Sequence, residues 1–171
     1  SVRYIKKVIE QKKIGKLRYF FCERTNLGKV RSDVDAAWNL APHDISVIQY
    51  IMNDEAPLKI SNNGMSFLQK GINDVSFIKI EYKKNINAFI HVNWLSPLKK
   101  RKITIVGSEK MIVFDDMAEN KIAIHNKTVK LKSHNSRVNF SYVNNGIDYP
   151  DINEIEPLKA EVEHFIDCIL N

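Results

Sequence analysis

The residue best placed by type and setting to do chemistry is His43, which follows Asn39 by four positions in the stretch Asp35-Ala36-Ala37-Trp38-Asn39-Leu40-Ala41-Pro42-His43-Asp44. An imidazole titrates near ~6.5, so it can take a proton from a hydroxyl at neutral pH. A carboxamide four residues earlier can orient that ring or bind a neighbouring hydroxyl. Taken alone, a histidine near a helix start is more often a cap or a surface residue, and Pro-His-Asp is too short to be specific. Further candidates to meet a polar ligand are Arg24, Asn26, Arg31, Trp94, Lys100 and Arg101. Arginine forks grip a diphosphate or carboxylate with two parallel bonds, and a Trp face stacks on a sugar or base. Trp94 also suits a core position under helices, and Lys100-Arg101 also suits a solvated turn. His91, His125, His134 and His164 have no ligand-like spacing and read as structural, and Asp115-Asp116 reads as a turn and not a cation site.

Periodicity supplies the elements that would position these residues. Val2, Ile5, Val8 and Ile9 fall at helical spacing, predicting a helix over 2–13 ended by Gly15. A strand follows over Leu17 to Glu23, then a loop from Asn26 to Val34. Ile45, Ile48, Ile51 and Met52 predict a second helix with its amino end at His43, Pro42 in the first turn and Asp44 complementing the dipole. In that position the positive helix end disfavours imidazolium and leaves His43 able to accept a proton. From Pro57 the period becomes two, with strands at Leu58 and Ile60, over 75–80 and 86–92, and shorter ones over 102–106, 111–114, 122–124 and 129–131. The segment 133–154 reads as an irregular loop with a short strand over 138–142, and Pro157 opens a last helix striped by Leu158, Val162, Phe165, Ile166 and Ile169. Strands joined by short turns imply a largely antiparallel sheet, so the expected class is α+β, an open sheet with helices on one face.

Composition sets the outer limits. At 171 residues the chain fits one domain, and 44% hydrophobic with 27% charged residues is an ordinary globular balance. The net charge of +6 comes from lysines scattered among acids, which argues against a nucleic-acid footprint. No apolar run approaches the ~18 residues that span a membrane, and the amino terminus lacks a signal core. Cys22 and Cys168 have no metal spacing and read as buried or inert thiols in a reducing cytoplasm. Glycines are isolated, so the clustered Gly-x-Gly-x-x-Gly turn of a dinucleotide site is missing.

The segment from Asp35 to Asp44 resembles the hallmark of the Gfo/Idh/MocA oxidoreductases, most closely their nucleotide-sugar dehydrogenase branch. There a His follows a polar residue, usually Asp and sometimes Asn, by four positions and lies beside the reacting sugar hydroxyl; the matching residues here are His43 and Asn39. Collinear likenesses support it: Gly15-Lys16-Leu17-Arg18-Tyr19, Glu23-Arg24-Thr25-Asn26-Leu27-Gly28, Trp94-Leu95-Ser96-Pro97-Leu98-Lys99-Lys100-Arg101, Val106-Gly107-Ser108-Glu109-Lys110-Met111 and Pro157-Leu158-Lys159-Ala160-Glu161-Val162-Glu163-His164-Phe165. The resemblance implies the glucose-fructose oxidoreductase C-terminal, dihydrodipicolinate reductase-like fold over residues 1–171, a single substrate-binding and oligomerisation domain. It implies that NAD or NADP is bound mainly by an amino-terminal Rossmann domain absent from this chain, together with the family's Glu-Lys-Pro segment. It further implies oxidation of a sugar or nucleotide-sugar hydroxyl with His43 as proton acceptor, no catalytic metal, and a homo-oligomer formed through the open sheet face. The fragment alone is then expected to be inactive. Asn39 in place of Asp removes a charge that could stabilise imidazolium, and it supports a second reading as a non-catalytic sugar-binding or assembly module.

Overall fold

The computed structural model of the chain describes residues 1–134, 137–152 and 157–170. Its centre is an eight-stranded sheet in the order β2-β3-β4-β1-β5-β6-β7-β8. The strands are β1 (Leu17–Leu27), β2 (Lys59–Met65), β3 (Val75–Glu81), β4 (Asn87–Asn93), β5 (Leu95–Gly107), β6 (Met111–Asp115), β7 (Ile122–His134) and β8 (Arg137–Asp148). Every neighbouring pair is antiparallel except β1 and β4, which run parallel because α2 and the β2–β3 hairpin intervene between them. The α+β, largely antiparallel expectation therefore holds.

Side chains alternate across the sheet and sort it into two faces. Phe20, Cys22, Ile78, Ile80, Ala88, Ile90, Val92, Ile103, Ile105 and Ile112 are buried on one face, and each Phe, Ile or Val among them contributes about 1.5–3 kcal/mol. Helix α2 (Ala36–Ile51) covers that face over β1, β3 and β4, and α1 (Val2–Glu10) packs on α2 through buried Ile5 and Val8. Lys6 of α1 sits 4.1 Å above the Tyr50 ring of α2 and ties the two helices at the surface. Gly107 marks where the β5–β6 turn meets the segment after α1: a Cβ there would stand 2.1 Å from the Ile14 carbonyl oxygen. On the opposite face Tyr19, Phe21, Phe77 and Phe89 are exposed, with Phe77 stacked on His91 at 4.4 Å.

Several boundaries differ from those that periodicity predicts. Helix α1 ends at Glu10, not Lys13: the Lys12 and Lys13 amides turn back to the Ile9 and Val8 carbonyls, with Lys12 left-handed at φ 56. Strand β5 begins at Leu95 and not Lys102, because its polar half still pairs with β1. The two short strands over 122–131 are one, β7, and most of the expected loop 133–154 is its partner β8. These strands carry Lys, Asn and Ser at alternate positions, so they read as loop, yet Val129, Leu131, Phe140 and Tyr142 share one face of the ribbon. Residues 153–156 lie outside the described residues. In α3 (Pro157–Leu170) the predicted stripe of Leu158, Val162, Phe165, Ile166 and Ile169 is present but exposed, so this helix does not help cover the sheet. Cys22 is buried as expected, whereas Cys168 is exposed. No helix among the described residues is long and apolar enough to cross a membrane.

Candidate functional site

The site is built where the carboxyl end of β1, the start of β5 and the first half of α2 converge. Helix α2 starts at Ala36, not at His43: Asp35 is its N-cap and accepts a 2.8 Å bond from the Trp38 amide. Asn73 fixes this end, its carbonyl accepting from the Ala36 amide at 2.8 Å and its Nδ2 approaching Asp35 Oδ2 at 3.4 Å. Pro42 is therefore inside the helix, not in its first turn, and the Trp38 carbonyl loses the amide that would normally reach it. His43 stands seven residues beyond Ala36, outside the single turn over which the dipole acts, so the argument from a positive helix end does not apply to it.

What the helix does instead is align Asn39 and His43. Residues four apart share a face, and here that face looks into a cleft. Asn39 lines a lobe of about 490 Å³ with Asn26, Lys29, Arg31, Leu40 and Trp94, and His43 lines an adjoining recess of about 60 Å³ with Arg24, Lys99, Lys100 and Arg101. Asn26 and Leu40 border both, joining them into one site. All eight residues singled out in the sequence therefore meet at one place, and His43 is solvent-exposed there.

Their individual roles differ from expectation. Arg24 does not offer a free fork: Nε donates to Asp44 Oδ2 at 3.0 Å and Nη2 to Oδ1 at 2.9 Å. Asp44 is buried and serves this bridge, not the helix dipole. Arg31 spends its fork on Asp33, a bond that raises the guanidinium pKa and holds the Asp33 carboxyl below its ordinary range. Trp94 is 1% exposed and floors the cleft without presenting a ring face; its Nε1 donates to Asp74 Oδ1 at 2.8 Å. Burial pushes the Asp74 carboxyl up, but the Leu68 amide, the Trp94 indole and the Phe67 amide outweigh that and leave it below the ordinary carboxylate value.

Cations dominate the rim. Lys100 Nζ pairs with Glu23 at 2.8 Å, and Arg101 Nη1 lies 3.7 Å from Asp116, both at exposed positions. Lys99 and Lys29 line the cleft without an ion pair among the described residues, and sequence reading passed over both. Their signal was present: Lys99 extends Lys100-Arg101, and Lys29 sits in the loop between Asn26 and Arg31. Asp33 is the one acid among the lining residues, so the cleft suits an anionic ligand carrying hydroxyls.

The passage from β1 into α2 is not built to hold a dinucleotide. Over 28–35 it ends in the Asp35 carboxylate, which occupies the amide that a pyrophosphate would need.

The fold is an open, largely antiparallel sheet covered on one face by α1 and α2, with a helix-borne His beside a cationic cleft. The chain belongs to the Gfo/Idh/MocA family: residues 2–113 match the GFO/IDH/MocA C-terminal domain. No curated protein sequence matches it. Its fold is similar to the UDP-N-acetylglucosamine 3-dehydrogenase GnnA from Acidithiobacillus ferrooxidans, with a TM-score of 0.70 and 20% identity, covering 96% of this chain and 50% of that one. It is similar too to the WlbA dehydrogenase from Bordetella pertussis in complex with NADH and UDP-GlcNAcA, at 0.58 and 17%, covering 70% and 40%. A third is an inositol dehydrogenase homolog complexed with NAD+ from Azotobacter vinelandii, at 0.65 and 11%, covering 86% and 41%. The chain thus spans about half the length of the solved structures it resembles, or less.

Proposed function

We propose that this chain is the substrate-binding and subunit-pairing domain of an NAD(P)-dependent dehydrogenase of sugars, with a nucleotide sugar as the favoured substrate. The observation that carries the reading is the joined cleft, with Asn39 and His43 on one helix face and Lys29, Lys99, Lys100 and Arg101 around it. The lysines and Arg101 meet the diphosphate, Asn26 and Asn39 bind hydroxyls, and the His43 imidazole takes the proton of the hydroxyl being oxidised. Arg24 positions α2 through Asp44. NAD or NADP belongs to a separate Rossmann domain, and the exposed apolar stripe of α3 is the surface that meets it. The setting is cytoplasmic, and neither nucleic acid nor membrane is a partner.

The reading is tested on the protein joined to its nucleotide-binding domain by following NAD(P) reduction with UDP-sugars. Turnover supports the dehydrogenase. Binding without turnover favours the second reading, an assembly or sugar-binding module, for which Asn39 in the usual Asp position is the specific observation.

Subunit pairing uses the open face with Tyr19, Phe21, Phe77 and Phe89, a patch of the kind that normally meets another subunit. Phe77→Glu is expected to convert the oligomer to monomer in sedimentation. A wild-type protein that stays monomeric at high concentration contradicts the proposal.

A further inference from the structure

Strands β1 and β5 pair residue for residue from Tyr19↔Val106 to Thr25↔Lys100, and the next pair is Leu27↔Leu95. Asn26 alone of β1 is therefore opposed by the four residues 96–99 of β5, where a common bulge sets two residues against one. Such an excursion gives up ladder bonds, so other contacts must hold its shape. It carries Lys99, which lines the recess of His43 and makes no ion pair among the described residues.

The contacts that hold the excursion converge on one peptide. Ser96 Oγ donates to the Leu98 carbonyl oxygen at 3.1 Å and accepts from the Leu98 amide at 3.3 Å, both bonds local to the loop. The bond that crosses from the neighbouring strand comes from Thr25, whose Oγ1 donates to the same Leu98 oxygen at 2.8 Å across 73 residues of sequence. Thr25 alternates with Tyr19, Phe21 and Glu23 along β1, yet it is 4% exposed where the two rings are about 40% exposed. Its hydroxyl is buried with its acceptor and needs no access to solvent.

The Leu98 carbonyl and the Lys99 amide belong to one planar peptide unit, so a bond to that oxygen fixes the plane from which the Lys99 side chain departs. A lysine on a free loop gives up backbone and side-chain freedom when it grips a ligand; on a held peptide the backbone share is already spent. We propose that Thr25 is a positioning residue for the anionic group of the substrate: through Leu98 it holds Lys99 toward the His43 recess and so sets how tightly a nucleoside diphosphate binds. The role rests on the proposed function, in which Lys99 meets the diphosphate.

The test is a calorimetric titration of UDP into the protein joined to its nucleotide-binding domain, in a cycle of Thr25→Val, Lys99→Ala and the double variant, with Thr25→Ser beside them. Thr25→Val keeps the side-chain shape and removes the donor; it is expected to raise Kd for UDP about three- to tenfold and to speed hydrogen exchange across 96–99. Thr25→Ser keeps a hydroxyl and should bind within about twofold of wild type. In the Lys99→Ala background Thr25→Val should add nothing to Kd, because the residue it positions is gone. A Kd unchanged in Thr25→Val, a loss that serine does not restore, a loss of equal size with Lys99 absent, or a wild-type protein that does not bind UDP would each overturn the proposal. Turnover is followed separately: a protein that shows this binding cycle yet oxidises no nucleotide sugar removes the dehydrogenase reading and keeps the role of Thr25.

Discussion

The Arg24 guanidinium and the Asp44 carboxylate form a two-pronged bridge, 3.0 and 2.9 Å, between β1 and α2 at the residue next to His43. Asp44 is wholly buried and Arg24 largely so, and the bridge sets the rotation of α2 that turns Asn39 and His43 into the cleft. It also lies beside the Cys22 thiol, which burial pushes far up, with Asp44 adding to the effect and Arg24 opposing it.

Removing one side of this bridge leaves the other charge buried without its partner. Asp44→Ala is expected to lower stability by about 3–5 kcal/mol, read as the midpoint of chemical denaturation. Replacing both residues together with apolar side chains should recover much of that loss. A single variant as stable as wild type would show that the bridge does not hold the helix.

Trp94 and Asp74 give the site its floor and a pH signature. The Asp74 carboxyl is depressed in the folded chain, so its contribution is present above the unfolded value near ~3.9 and is lost as pH falls through the lower folded value. Trp94→Phe removes the indole donor, raises the Asp74 pKa and should cost about 1–3 kcal/mol near neutrality. The acid-unfolding midpoint, followed by circular dichroism, should move to higher pH; an unchanged midpoint would contradict the assignment.

Lys99 tests how the cleft reads charge. It is exposed and outside any ion pair among the described residues, so Lys99→Ala should leave the thermal midpoint within error. If Lys99 meets a diphosphate, KM for a nucleotide sugar should rise about three- to tenfold with kcat little changed, the pattern of lost uniform binding. Equal KM values for wild type and variant would remove Lys99 from the site.

Much of this was legible in the sequence, for reasons that particular residues make plain. Strict alternation in Val75 to Ile80 and Ile86 to Val92 reports a sheet buried on one face, and both strands are found there. The α2 start was misplaced because Pro42 is a strong start signal, while the actual cap, Asp35 before Ala-Ala-Trp, precedes a stretch without an apolar stripe. The β7–β8 ribbon escaped because hydrogen bonding to a neighbour strand outweighs weak local propensity in Lys-, Asn- and Ser-rich segments. For the candidate site, residue types pointed to side chains that the fold brings together at one cleft. The partners Asp44 and Asp33, which spend the forks of Arg24 and Arg31, become visible only when β1, its following loop and α2 are placed in space.

The most direct test of the account is kcat/KM against pH for the protein joined to its nucleotide-binding domain, wild type beside His43→Ala, with a nucleotide sugar as substrate. His43 is exposed and its ring makes no hydrogen bond or ion pair among the described residues, so the variant should fold as wild type does. A fall of about 10²- to 10⁴-fold is expected, with loss of the acid limb that a general base imposes on the profile. A variant that keeps the wild-type rate and the same acid limb would contradict it.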